Sequence, residues 1–235
     1  MAKKSLDKIR LDWDEINYVF KQDEENGQKG EKRDSERYKL DSKILNEKID
    51  ANKLSLENTD EKLEYIYYIS TLINSFYSTR MGATRVYQVA KEINKKVPVK
   101  IDDIEKIIEI INGTSISYEN SDKEKHYRPY SFLSKFFSLH CDRNLPIYDS
   151  RIENTIKLII KCAKEPHTEL YSPNFINQIT NYKNTDLKDY KKFKEIVDLI
   201  REEIGTNPKN NDEKISYDKL DKYFWVLWED KINIE

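Results

Sequence analysis

Apolar residues recur at three- and four-residue intervals along nearly the whole chain, and the breaks between these periodic segments are short and polar. The pattern predicts helices near residues 6–21, 35–51, 59–77, 83–96, 101–112, 129–140, 150–164, 172–182, 186–204 and 216–230. No pair of alternating segments predicts strands, and no internal repeat or heptad array of useful length occurs, which excludes solenoids and coiled coils. The expected fold class is all-α. Residues 22–34, QDEENGQKGEKRD, read as a charged, mobile linker. This divides the chain into an N-terminal helix with its linker, 1–34, and a helical domain, 35–235. Leu6, Ile9, Trp13, Ile16 and Phe20 make the first helix amphipathic enough to dock on the body or on a partner.

The segment from Ser131 to Arg151, SFLSKFFSLHCDRNLPIYDSR, carries the most chemistry. Pro129 can open its helix, because a first-turn residue needs no N–H. Ser131, Ser134, Lys135 and Ser138 then share one face, and Phe132, Leu133, Phe136, Phe137 and Leu139 cover the other. A single lysine on a stripe of small hydroxyls reads as the wall of a cleft, and equally as a side chain that snorkels to water from a buried helix. The following Leu145-Pro-Ile-Tyr-Asp149 turn delivers an aspartate to the start of the next helix. Asp149 or Ser150 can cap that helix, and Ser150 with Glu153 matches a capping box.

At these residues the chain resembles the helix-hairpin-helix DNA glycosylases, most closely the divergent group similar to 8-oxoguanine glycosylases. The resemblance covers roughly Asn74 to Arg151, with the helix from Leu220 to Trp228 as a further segment. It implies a two-lobed multi-helix domain of the glycosylase type, with Asp149 in the cleft between the lobes. It also implies that Asp149 is the catalytic carboxylate and Lys135 the candidate Schiff-base nucleophile. Two features differ from the family pattern. The glycine-rich phosphate-gripping turn is absent, since the helix ending near Gly113 runs into TSISYENSDKEKHYRP. The Lys135–Asp149 separation is also short, which allows Ser131, one turn earlier, to take the lysine position in a monofunctional enzyme.

The chemistry that the resemblance implies follows from charge. Cleaving an N-glycosidic bond builds positive charge on the deoxyribose, and a fixed carboxylate stabilises that cation or activates the attacking water. A lysine attacks C1′ only as the neutral amine, which desolvation beside Phe132, Phe136 and Leu139 favours. The partner implied is duplex DNA with its target base flipped into a pocket and stacked on an aromatic ring, for which Tyr77 and Trp225 are candidates alongside core roles. Thr79, Arg80, Thr84 and Arg85, around the break between two helices, could donate to a phosphate or a base edge. Arg128, Ser131, His140 and Arg151 complete the candidate DNA-binding residues.

Composition limits these readings. The chain has 235 residues, enough for a sizeable core. No apolar run is long enough to span a bilayer or to follow the basic start as a signal peptide, so a cytoplasmic protein without membrane contact is expected. Two cysteines, Cys141 and Cys162, and three scattered histidines give no disulfide framework and no metal-site spacing. No metal or other cofactor is expected. Forty-one basic against forty-three acidic residues leave a net charge of −2, unlike a dedicated DNA binder. From Lys123 to Arg151, however, Lys123, Lys125, Arg128, Lys135, Arg143 and Arg151 outnumber Glu124, Asp142 and Asp149. The competing expectation is a non-catalytic helical module that binds DNA or protein, for example in defence or regulation.

Overall fold

Most periodic segments fold as helices close to where the pattern places them, but the expected helix 35–51 breaks at residues 49–50, where Asp50 caps a separate short helix, Ala51–Leu54. The computed structural model describes residues 9–26, 40, 43–57, 59–77, 81–97, 103–120, 123–141, 143–165, 170–207 and 210–232. Its helices are Trp13–Asn26, Ala51–Leu54, Asp60–Phe76, Ala83–Lys96, Ile104–Gly113, Tyr130–His140, Ser150–Cys162, Pro173–Ile179, Tyr190–Ile204 and Tyr217–Ile232, with a 3-10 turn over Asn184–Lys188. Residues 43–48 are helical too. The protein is mostly helical.

Helix starts follow side-chain chemistry. Thr59, Asp103, Ser172 and Asp189 each accept a hydrogen bond from a backbone N–H of the following first turn, and Pro173 occupies a first turn where no N–H is needed. The helix Tyr190–Ile204 ends at Gly205, whose φ of 73° with ψ of −158° is a positive-φ extended conformation open to glycine and strained for other residues.

Two further expectations are corrected. The helix Trp13–Asn26 runs through residues 22–26, so a linker cannot begin at residue 22; the remainder of that stretch lies outside the described residues. Two antiparallel hairpins are also present where no strand pair was expected. Ile116–Asn120 pairs with Lys123–Tyr127, and Thr206–Asn207 with Asn210–Lys214. The first hairpin buries Ile116 and exposes its neighbour Ser117. Its sequence shows little apolar alternation, and backbone pairing leaves no mark on hydropathy.

By contact the chain divides into two units. A central unit comprises Glu31–Ile147, and a terminal unit joins Met1–Gly30 to Tyr148–Glu235. In the central unit the helix Asp60–Phe76 packs on Ala83–Lys96, burying Ile66, Ile69 and Ile73 with Val86, Val89, Ala90 and Ile93. Each buried Ile or Val among them contributes roughly 1.5–3 kcal/mol. The helix Tyr130–His140 packs against both Asp60–Phe76 and Ile104–Gly113.

In the terminal unit Tyr217–Ile232 packs on both Ser150–Cys162 and Trp13–Asn26. The first helix is therefore docked, as its amphipathic pattern suggested. Ile9, Trp13 and Ile16 are buried, and the hydroxyls of Tyr171 and Tyr223 donate to the carbonyls of Ile9 and Arg10. Leu6 lies outside the described residues.

Candidate active site

The helix Tyr130–His140 opens at Pro129, whose carbonyl accepts from the Leu133 N–H at 2.8 Å. Every residue from Phe132 to His140 is buried, so its serine and lysine stripe lies inside the central unit and does not line an open cleft. Burial is tolerated because the hydroxyls are satisfied locally. Ser134 Oγ donates to the Ser131 carbonyl at 3.0 Å, and Ser138 Oγ donates to the Leu145 carbonyl at 2.7 Å. Lys135 is 6% exposed; its Nζ donates to Ser131 Oγ at 3.0 Å and sits 5.7 Å from the centre of the Tyr77 ring. Three residues named from the sequence, Ser131, Lys135 and Tyr77, thus form one cluster.

The same helix ends in a tight reversal. The Arg143 N–H donates to the Ser138 carbonyl at 2.9 Å, and Arg143 adopts a left-handed φ of 58°. With the Ser138 to Leu145 bond, this fixes the start of the Leu-Pro-Ile-Tyr turn.

His140 is interior. Its Nδ1–H donates to the Phe136 carbonyl at 2.7 Å, and Nε2 accepts from the Tyr65 hydroxyl at 3.0 Å, which itself accepts the Asp50 N–H at 2.7 Å. Its ring also stacks on Phe136, with centroids 4.3 Å apart. This places His140 in a core network and not on a DNA-facing surface. Burial brings its pKa down to about 4 and pushes the Tyr65 hydroxyl up to about 12. An unfolded histidine binds its proton near pH 6.5, so between about 4 and about 6.5 the unfolded chain carries the extra proton and stability rises with pH. Urea unfolding should therefore show up to about 3 kcal/mol gained from pH 4 to pH 7 through this residue. His140→Gln should flatten that dependence; an unchanged pH profile would show that the network does not hold the ring neutral.

In the terminal unit, Asp149 is the residue that caps Ser150–Cys162. Its Oδ1 accepts from the N–H groups of Arg151 at 2.8 Å and Ile152 at 3.1 Å. Both cap bonds use Oδ1, which leaves Oδ2 outside the cap on a half-buried side chain. The expected capping box is replaced, because Glu153 turns away from the helix end. It accepts from the Tyr148 hydroxyl, from Lys188 Nζ at 2.8 Å and from Lys157 Nζ at 2.7 Å. Burial alone would push the Glu153 carboxyl up, but these three donors outweigh it and hold the group below its usual range. Burial and the neighbouring carboxylate drive the Tyr148 hydroxyl upward. Tyr148 also meets Phe193 edge-on with centroids 5.2 Å apart, so the residue before Asp149 is held on several sides.

Arg151 lies over Trp225, guanidinium carbon to ring centre 3.8 Å, and Trp225 is 40% exposed. That exposure sets Trp225 apart from a core residue. Asp149, Arg151 and Trp225 are thereby brought together at one helix end. Arg128 donates from Nη2 to the Asn112 carbonyl at 2.6 Å, tying the first hairpin to the preceding helix. Thr79 and Arg80 lie outside the described residues. Among the described residues no group of histidine, cysteine and acidic side chains is arranged to hold a metal ion, and no helix is long and apolar enough to cross a membrane.

The sequence reading missed Tyr148, Glu153, Lys157 and Lys188 as a cluster. The i, i+4 spacing of Glu153 and Lys157 was visible in the sequence, whereas Lys188 is brought in by tertiary folding alone.

Among known proteins, this chain is similar to an uncharacterised protein of Haemophilus influenzae, with 31% identity over 159 residues. The aligned region covers 66% of this chain and 61% of that protein, so the chain spans less than two thirds of its relative's length. No family model matches. No solved structure matches either.

Proposed function

We propose that the protein is a DNA glycosylase that excises a modified or damaged base, built on a two-lobed helical scaffold of the helix-hairpin-helix type. The observation that carries this reading is Asp149, a half-buried carboxylate oriented at a helix N-terminus by two backbone N–H groups through one oxygen, directly after a Leu-Pro-Ile-Tyr turn. In the hydrolytic reaction the C1′–N bond breaks and the base departs with the bonding pair and takes up a proton. Water then bonds to C1′ and gives its proton to Asp149. The fixed carboxylate stabilises the sugar cation while it forms. Arg151 stacked on Trp225 offers a cation and an indole edge to the same DNA.

A lyase step stands apart from the Asp149 chemistry, because Lys135 Nζ lies buried against Ser131 and Tyr77 inside the central unit and reaches a sugar only if that helix face opens. In that opened state, attack of the amine on C1′, which requires its neutral form, expels the base and, after proton loss and ring opening, leaves an imine that borohydride reduces to a stable amine. Ser131, bonded to that amine, is the residue to compare. The test is to incubate the protein with duplexes carrying 8-oxoguanine, uracil, alkylated and hypermodified bases, then to assay abasic sites and borohydride-trapped adducts. Abasic sites on at least one duplex are expected. A trapped adduct that disappears in Lys135→Gln assigns the lyase step, whereas abasic sites without an adduct assign a monofunctional enzyme. No abasic site on any duplex removes the enzymatic reading.

A second reading, a helical binding module without catalysis, is favoured by the hairpin Ile116–Tyr127 standing after the helix Ile104–Gly113, where the family carries its glycine-rich turn. It predicts DNA or protein binding with no base release.

A further inference from the structure

Forty-three acidic residues in 235 place an acid at about every fifth or sixth position, yet from Tyr65 to Lys91 there is none. The cations Arg80, Arg85 and Lys91 fall inside that same stretch. The stretch builds most of two packed helices of the central unit, Asp60–Phe76 and Ala83–Lys96, whose buried sides form its core. Their outer sides expose Tyr67, Tyr68, Thr71 and Ser75 on one helix and Thr84, Tyr87 and Lys91 on the other.

Three of these residues form a defined group. The Tyr67 and Tyr87 rings meet at right angles with centroids 5.4 Å apart, and Lys91 Nζ lies 5.5 Å from the centre of the Tyr87 ring. Tyr67 is 36% and Tyr87 42% exposed. With a perpendicular ring against it and an ammonium over it, Tyr87 offers its hydroxyl rather than an open face for stacking. Among the described residues neither tyrosine hydroxyl has a hydrogen-bond partner, and Lys91 has no carboxylate partner. The next acid, Glu92, is occupied by Lys95 at 2.8 Å and Lys96 at 3.6 Å. Across the helix Ala83–Lys96 four basic residues face that single acid.

We infer that the Tyr67–Tyr87–Lys91 face is a docking surface for the phosphate backbone of duplex DNA. Braced hydroxyls and an ammonium without a carboxylate partner, flanked only at the edges of the face by Glu64 and the paired Glu92, suit a polyanion, and such contacts position a duplex without reading its sequence. The face gives this chain a phosphate grip independent of the missing glycine turn. The choice of DNA as the polyanion rests on the glycosylase reading; the charge argument does not.

The test is binding of the full-length chain to a short random-sequence duplex by fluorescence anisotropy, between about 50 and about 200 mM salt. Lys91→Glu should weaken binding at least about tenfold and reduce the slope of log affinity against log salt by about one phosphate contact. The double change Tyr67→Phe and Tyr87→Phe, which keeps both rings, should weaken binding about tenfold. Lys161→Glu, at an exposed site of the terminal unit, should leave slope and affinity unchanged. All variants should keep the wild-type thermal melt. Wild-type affinity and slope in both test variants would overturn the inference. So would a change in sedimentation with unaltered DNA binding, which would make the face a contact between copies of this chain. Because the readout is binding, face-dependent affinity without any base release would sink the glycosylase reading and leave this one standing. Base release with face-independent binding would do the reverse.

Discussion

Asp149→Asn should lower the rate of base release by at least about a hundredfold while leaving the unfolding free energy nearly unchanged. The two effects separate because asparagine caps a helix about as well as aspartate does. The amide oxygen can still accept the Arg151 and Ile152 N–H bonds that Oδ1 accepts now. What is lost is the negative charge that stabilises the sugar cation, and a group of that kind is worth roughly two to three orders of magnitude in rate. Asp149→Ala removes both functions and should also lose about 1 kcal/mol of stability. Single-turnover base release and thermal melts on the three proteins make the comparison. If Asp149→Asn releases base at the wild-type rate, the aspartate is a cap and nothing more.

Phe136→Ala should destabilise the central unit by about 3–5 kcal/mol, the range for truncating a fully buried aromatic side chain. Phe136 has no exposed surface and meets Phe132, Phe137 and His140 with ring centroids 6.3, 5.4 and 4.3 Å away. Its carbonyl also holds His140 Nδ1, so the cavity would open beside the Tyr65–His140 network as well as within the aromatic cluster. Urea unfolding gives the number. A loss below about 1 kcal/mol would mean that the lysine-bearing helix is not packed on that side, and the case for a rigidly held Lys135 would weaken with it.

The helices were legible because their apolar positions keep a period near 3.6, but two starts were placed early: the caps Asp103 and Asp189 lie inside the expected spans 101–112 and 186–204, since hydropathy does not register a cap. The hairpin Ile116–Tyr127 was not legible, since its sequence shows little apolar alternation and its pairing is a backbone property. Which end of a helical stripe is buried was also beyond a one-dimensional reading. Ser134, Lys135 and Ser138 share a face as the spacing says, but periodicity does not reveal that local carbonyls satisfy the serines and that the face is closed over.

The division of the chain was hidden for a related reason. Residues 1–30 join residues 148–235 through contacts distant in sequence, such as Tyr223 to Arg10 and Tyr171 to Ile9, which no linker composition announces. Asp149 was picked out for its position at a helix start, and the structure places it there. The Tyr148–Glu153–Lys188 cluster behind it depends on a lysine far along the chain.

If Asp149 meets a positively charged sugar, one affinity ratio reveals it without knowledge of the target base. Two duplexes identical except at one abasic position are compared, one carrying a cationic pyrrolidine in place of the sugar and the other its neutral tetrahydrofuran counterpart. The account predicts that the protein binds the cationic duplex at least about tenfold more tightly, as expected for a mimic of the charge formed during cleavage, and that Asp149→Asn erases the preference. Equal affinity for the two duplexes, or a preference that survives in Asp149→Asn, would contradict it.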